Sequence, residues 1–437
     1  MGKLTLLFTI VIAGCGGGPR TAVVRAVEGR DSREALLRYE RFRADEGGGD
    51  PSLLARIAAL VIEIEVESGG DTERSAGLHQ LDLAGTEGLP VLDRLSRQSE
   101  HEVVRARALE ILARRGDSGA TAALRGMLDS EDAQVVAAAV TTLDATDDVD
   151  ALLGYLTHTS GDVRSAAART LRGSAPVGRA RAALAEAARV DPLPSVRSAA
   201  VRSLGVYGPE AFEPLRERIS DPDGAVRMAA VGALMSADGD RAAAVIAGLL
   251  EMTPTRAGIE AARVLADRSD AQQGAEGAVT ARAFLRRALV ATETDLRSQA
   301  AVALSSLRDT SGLDDVLAEL LDGETEVRVR LAVAGILLHR PGHEAGGRAA
   351  LEALLPAGDM PAIQAAALLA QDTGHRPARR TLARAMRSSE AELRRAAARA
   401  LARDAMEPDA ARRALRDPDA IVRIHAAGGI LAAVAAA

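Results

Sequence analysis

Asp221-Pro222-Asp223-Gly224-Ala225-Val226-Arg227-Met228-Ala229-Ala230-Val231-Gly232-Ala233-Leu234 decides how the chain is read. Its first four residues spell a turn. Proline presets φ, aspartate bonds backbone N–H groups a few residues on, and glycine accepts the bend. The rest places apolar residues at Val226, Ala230, Ala233 and Leu234, the spacing of one helical face. The phrase then recurs. VRARALEIL starts at Val104, VRSAAARTL at Val163, VRSAAVRSL at Val196, LRSQAAVAL at Leu296, LRRAAARAL at Leu393 and VRIHAAGGI at Val422. Weaker copies start at Val135, Ala257, Val327 and Ile363, and a degenerate one at Glu73 keeps Arg74 and Leu81. Twelve starts at a mean step near 32 residues are an array, not chance.

A second amphipathic stretch precedes each copy, such as Ala211–Ile219 or Gly312–Leu321. Turn signals join the two: Asp221 to Gly224, Asp322-Gly323, and Asp417-Pro418-Asp419. Each unit therefore reads as helix, tight turn, helix. Neither helix can bury its apolar stripe alone, so the units must stack. Apolar residues make up 47% of the chain but aromatics only 2%, so the interior is built from Ala, Leu and Val and from close backbone approach.

The phrase Asp-Pro-Asp-x-x-Val-Arg-x-Ala-Ala-x-x-Ala-Leu resembles the HEAT repeat, especially the short bacterial kind called PBS-lyase HEAT-like. The resemblance covers roughly residues 70–437. It implies an all-α, right-handed α-solenoid, an armadillo/HEAT-like superhelix of about twelve helix-pair repeats. In that family the second helices line a concave face, and an acidic turn residue and the arginine lock neighbouring repeats. The recurring arginines here are Arg105, Arg164, Arg197, Arg227, Arg297, Arg328, Arg394 and Arg423. They could form a basic ladder for an anionic ligand or a set of inter-repeat ion pairs. Periodic acid favours the structural role: Asp132, Asp223, Glu293, Glu324, Glu390 and Asp419 each stand three places before a start, with Ser160 in the Val163 copy. Two long steps contain Ser269–Gly277 and His339–Gly347, read as loop insertions and candidate contact sites.

The ends differ from the array. Residues 32–70 read as an N-terminal cap, a helix pair around Gly47-Gly48-Gly49 that loosely resembles a tetratricopeptide unit, and 71–437 as the repeats. Ala426–Ala437 is almost wholly apolar with no polar cap, a surface for a partner or a second copy of the chain. At the start, residues 1–14 carry Lys3 and an apolar run too short to span a bilayer, as in a secretory signal. The run ends Ile12-Ala13-Gly14-Cys15, which resembles the bacterial lipobox. That resemblance implies cleavage before Cys15, the only cysteine in 437 residues, and its acylation there. The alternative is an ordinary signal with an incidental cysteine. Gly16 in place of aspartate favours the outer membrane, facing the periplasm, and residues 15–31 read as the lipidated cysteine and a flexible tether.

Without residues 1–14 the chain carries 53 basic against 61 acidic residues, a charge of −8, with no Trp. That excludes a general nucleic-acid binder, which needs basic surface and stacking aromatics. No G-x-S-x-G, P-loop or H-E-x-x-H occurs, so no catalytic residue is expected. His339 and His343 are separated by Pro341 and Gly342, which deny them a shared helical face for a metal. Asp144–Asp150 is oxygen-rich but lacks calcium-loop spacing, so a solvated loop is the better reading. Neither metal nor cofactor is expected. The sequence reads as a membrane-anchored scaffold for protein partners in the bacterial envelope; the alternatives are a bilin-lyase-type enzyme or a self-associating structural element.

Overall fold

The computed structural model describes residues 18–173, 177–251, 253–271, 275–305, 313–371, 374–403 and 408–435; Ile12, Ala13, Gly14 and Cys15 lie outside them. Among the described residues there are twenty-six α-helices and no strand. Helices α1 (Pro19–Glu28) and α2 (Ser32–Glu46) come first. Twelve pairs follow: α3 (Pro51–Ser68) and α4 (Asp71–Leu83), α5 (Leu89–Gln98) and α6 (Glu102–Arg114), α7 (Ser118–Arg125) and α8 (Ala133–Val140), α9 (Val149–Tyr155) and α10 (Gly161–Thr170). Next are α11 (Val177–Val190) and α12 (Pro194–Leu204), α13 (Phe212–Glu217) and α14 (Gly224–Ala237), α15 (Gly239–Leu250) and α16 (Arg256–Ala271), α17 (Ala275–Leu289) and α18 (Thr294–Ser305). The last are α19 (Leu313–Gly323) and α20 (Val327–Leu337), α21 (Glu344–Glu352) and α22 (Met360–Leu369), α23 (Arg376–Ala385) and α24 (Ala391–Arg403), α25 (Pro408–Ala414) and α26 (Ala420–Ala435). All twelve sequence starts fall in the second helix of a pair, from α4 to α26. The chain is an all-α solenoid.

It divides into two units, residues 92–400 and residues 1–91 with 401–437. In the first, each second helix packs on the next, from α6 through to α22. Small residues permit this. The alanine pairs 138–139, 166–167, 199–200, 229–230, 261–262 and 300–301 are all buried. Gly205 shows how tight the fit is: a β-carbon there would lie 3.0 Å from Ala233 Cα. Aspartates start many of the helices. The Asp223 carboxylate accepts from the N–H groups of Ala225 and Val226, and Asp132, Asp117 and Asp359 act alike at α8, α7 and α22. Asp238 lies between α14 and α15 and caps the second.

Neither long step is a simple loop. Val329 is fully buried and Val327 exposed, so the α20 copy starts two residues later than the sequence suggests. The steps from Leu296 to Val329 and from Val329 to Ile363 are then 33 and 34 residues, ordinary for this chain. Over 339–347 a short turn passes into α21 at Glu344. Ser269–Ala271 complete α16 and Ala275–Gly277 begin α17; residues 272–274 lie outside the description.

The other unit joins the two ends of the chain. The segment expected to be a flexible tether is helical from Pro19 to Glu28, with Val23 and Ala26 buried, because α1 packs on α2. Gly47 closes α2 in the left-handed conformation (φ 70°) that a residue without a β-carbon takes readily. Helix α3, read as half of the cap, is also the first helix of the α3–α4 pair. The apolar C-terminus is not bare, as its composition suggested: α26 packs on both α3 and α4. Val422, Ile424, Ala426, Ala427 and Leu431 are at most 1% exposed. Gly428 meets α4 so closely that a β-carbon would collide with the Gln80 side chain. Residues 426–431 of the stretch that suggested pairing with a second copy are thus buried, with α26 packed on the chain's own α3 and α4. No helix among the described residues is long and apolar enough to cross a membrane.

Gly428→Leu forces side-chain atoms into this packed contact. It should cost about 1–3 kcal/mol of stability, as overpacking does. Urea unfolding followed by circular dichroism should show the earliest transition shifting to lower urea, whereas a leucine at exposed Gly346 should leave it in place.

Candidate functional site

The recurring arginines resolve into one bonding scheme. Where the scheme is complete, the Nη1 of each reaches back five and six residues to two carbonyls of its own inter-helix turn. Arg164 donates to His158 O at 2.8 Å and Thr159 O at 3.0 Å. Arg197 reaches Asp191 and Pro192, Arg227 reaches Asp221 and Pro222, and Arg297 reaches Ala291 and Thr292. Arg105, Arg394 and Arg423 do the same with Ser99 and Glu100, Ser388 and Ser389, Asp417 and Pro418. The other edge of the guanidinium turns to the next repeat. Arg164 forks onto Asp191 (2.7 and 3.0 Å), Arg197 onto Asp221 (2.9 and 2.8 Å) and Arg297 onto Glu324 (2.8 and 3.3 Å).

Two expectations change here. In the α20 copy the scheme passes to Arg330, whose Nη1 reaches Glu324 O at 3.1 Å. Arg328 is 83% exposed, with only a 4.0 Å approach to Asp295. The acid partner is also a different residue. It stands five places before the start (Asp191, Asp221, Glu324), not three, and the residue three places before, such as Asp223, caps the second helix instead. Each partner carboxylate also accepts the N–H two residues on. Burial raises the pKa of Asp191 and Asp221, but the bonds from Arg164 and Arg197 and from those N–H groups outweigh it and hold both carboxyls below the usual range. Glu324 is lowered first by its bond from Arg297.

With these arginines bound to their own turns, the surface available for recognition lies elsewhere. Helices α18, α20 and α22, all second helices, enclose an open groove of about 860 Å³. Its floor is Leu331, Ala332, Gly335, Ile336 and Leu368; its rim is Ser298, Arg328, His339, Arg340 and Gln364. Gly335 deepens it, since a β-carbon there would stand 3.0 Å from Leu368 Cδ1. Arg340 lies 3.5 Å from Asp314, which leaves Arg328 as the most exposed cation of the rim. An apolar floor with a cationic edge suits an amphipathic segment that carries carboxylates.

The oxygen-rich loop is occupied by its own chain. Arg125 forks onto Asp148 at 2.6 and 2.8 Å, and Asp144 accepts from the N–H groups of Thr146 and Asp147, which lower its pKa. His339 sits on the groove rim, while His343 starts α21 and faces Asp315 at 3.6 Å. No cluster of three metal-ligating side chains occurs among the described residues.

Residues 89–172 and 181–266 match the family model described as HEAT repeats. These two stretches are HEAT repeats. Similar solved structures include YibA of E. coli (16% identity, 67% of this chain and 99% of that one, TM-score 0.35). The S. pombe condensin Cnd3–Cnd2 subcomplex matches at 12% identity over 94% of this chain and 65% of that one (TM-score 0.39). An engineered protein matches at 21% identity over 93% and 98% (TM-score 0.25). No curated protein matches. Within the HEAT repeats the arginine scheme is the one seen at Arg105, Arg164, Arg197 and Arg227; α18 and α20 extend it beyond the matched residues.

Arg197→Ala strands the Asp221 carboxylate, whose side chain is 2% exposed, and should cost about 3–5 kcal/mol. Arg328→Ala should stay within about 0.5 kcal/mol. The lowered carboxyls stabilise the fold fully above their unfolded pKa, near 4, and lose that contribution as pH falls through the folded values. Urea midpoints measured from pH 7 downward should therefore drop below about pH 4. Asp221→Asn should be less stable at neutral pH and show a shallower acid loss.

Proposed function

We propose that this chain is a lipid-anchored scaffold of the bacterial envelope, of the short PBS-lyase HEAT-like kind, that acts by holding a protein partner and not by catalysis. The observation that carries the binding role is the groove on α18, α20 and α22. There the second helices leave an apolar floor open beside a cation while the neighbouring repeat arginines are engaged. Its occupant is an amphipathic segment with Leu- or Ile-like side chains for the floor and a carboxylate for Arg328.

The anchor rests on Ile12-Ala13-Gly14-Cys15 and on Lys3 with its short apolar run. Acylation of Cys15 holds the chain at the membrane through more than one chain, as stable anchoring requires. Gly16 sends it to the outer membrane, facing the periplasm. No nucleic acid is involved.

The test places a photo-crosslinking residue at Ile336 in cells and follows adducts in the membrane fraction. One defined protein adduct is expected. It should fall about tenfold with Gly335→Leu, which fills the groove at a cost near 1.4 kcal/mol of binding. Labelled palmitate should enter the wild type and not Cys15→Ala. An adduct unchanged by Gly335→Leu removes the groove from the reading, and absence of label from the wild type removes the anchor.

A further inference from the structure

We infer that the exposed face of α23 is a docking surface for an anionic membrane, which adds a second contact to the proposed lipid anchor and rests on that membrane-bound reading. Residues 376–387 contain Arg376, Arg379, Arg380, Arg384 and Arg387 and no acid, in a chain of net charge −7. Helix α23 turns Ala378, Thr381, Leu382 and Ala385 inward. Arg376, Arg380, Arg384 and Arg387 are exposed. At 1.5 Å rise per residue the first three stand about 6 Å apart along one face.

Arg97, Arg189 and Arg216, exposed on other helices, each have a carboxylate of their own helix beside them, in Asp93, Glu186 and Glu213. Among the described residues neither the four arginines of α23 nor Arg387 just beyond it has a carboxylate partner. Arg384 reaches only Thr381 Oγ1, at 3.5 Å. The nearby Glu352 is engaged by His375 at 2.8 Å and Glu392 by Arg395 at 2.9 Å. Like charges at i, i+4 destabilise a helix, so the row opposes the folding of α23 unless an outside anion relieves it. The exposed face between the guanidiniums offers Pro377 and Ala383, and no large apolar side chain of residues 376–387 is exposed. A protein partner needs a buried anchor side chain, whereas a bilayer of phosphate headgroups needs only charge at this density. Guanidinium forks suit phosphate oxygens. With the apolar face of α23 committed to the solenoid, the contact is electrostatic, without insertion, and is screened by salt.

The test uses the full chain carrying Cys15→Ser, which cannot be acylated at that position, and vesicles of phosphatidylcholine alone or with one-third phosphatidylglycerol. Any apolar contribution of residues 1–14 is common to both vesicles. The chain should sediment about tenfold more strongly with the anionic vesicles at low salt, and high salt should abolish the difference. R376Q/R380Q/R384Q should lose the preference with an unchanged circular dichroism spectrum. R97Q/R189Q/R216Q, the same change in charge elsewhere, should keep it. A triple α23 variant that keeps the preference overturns the proposal, as does a wild type that has none. Polyglutamate that displaces the chain at a lower charge concentration than phosphatidylglycerol binds it overturns the membrane assignment in favour of an acidic protein. Because Cys15 is absent throughout, failure here leaves the acylation reading to its own palmitate test.

Discussion

In each complete repeat, the arginine after the first buried residue of the second helix closes a turn that it does not belong to. Its Nη1 takes two carbonyls at the end of that turn, which lack helical partners and would otherwise need water. Its other edge takes the carboxylate in the turn of the next repeat, and that carboxylate accepts an N–H of its own turn. One side chain thus sets the angle within a repeat and the offset between two. Lysine cannot substitute, because the scheme needs a rigid fork with donors on two edges. The pairs are nearly buried, so their worth lies in specifying one stacking arrangement more than in net stability.

Alanine is the other half of the design. With so few aromatic rings, the core cannot rely on large side chains, and buried alanine pairs within successive second helices bring the backbones together. Such a core adds a modest amount per repeat and must be long. It also exposes an apolar face at each end of the array. Here the chain covers α26 with α3 and α4, and Arg423 gives its Nε to Glu65 at 2.7 Å, as other repeat arginines give theirs to the following repeat. The last repeat treats the first as its neighbour.

The architecture was legible because it is periodic. A motif seen twelve times needs no single copy to be clear, and each start fell in a second helix. The errors came where periodicity is locally ambiguous. Val327-Arg328-Val329-Arg330 offers two registers one helical half-turn apart, and only burial of Val329 and exposure of Val327 choose between them. A signal was present: Asp191 and Asp221 stand five places before Val196 and Val226, and Glu324 stands five before Val329. The end contact could not be read, since the residues it joins, such as Arg423 and Glu65, stand 358 apart in the chain. Helix α1 was missed because three glycines and a proline dominate the reading of its start, although proline at the first helical position is well tolerated.

The groove follows from that same register. Shifting α20 by two residues takes Arg328 out of the repeat scheme and leaves it on the surface, while Arg330 assumes the turn contact. It also places Leu331, Gly335 and Ile336 on the open face. A glycine at 335 lets Leu368 of α22 lean across, so the floor is continuous over two helices. The arginine that periodicity assigned to structure is therefore the one whose charge remains available for recognition, and it is available because its neighbour two residues on has taken its structural place.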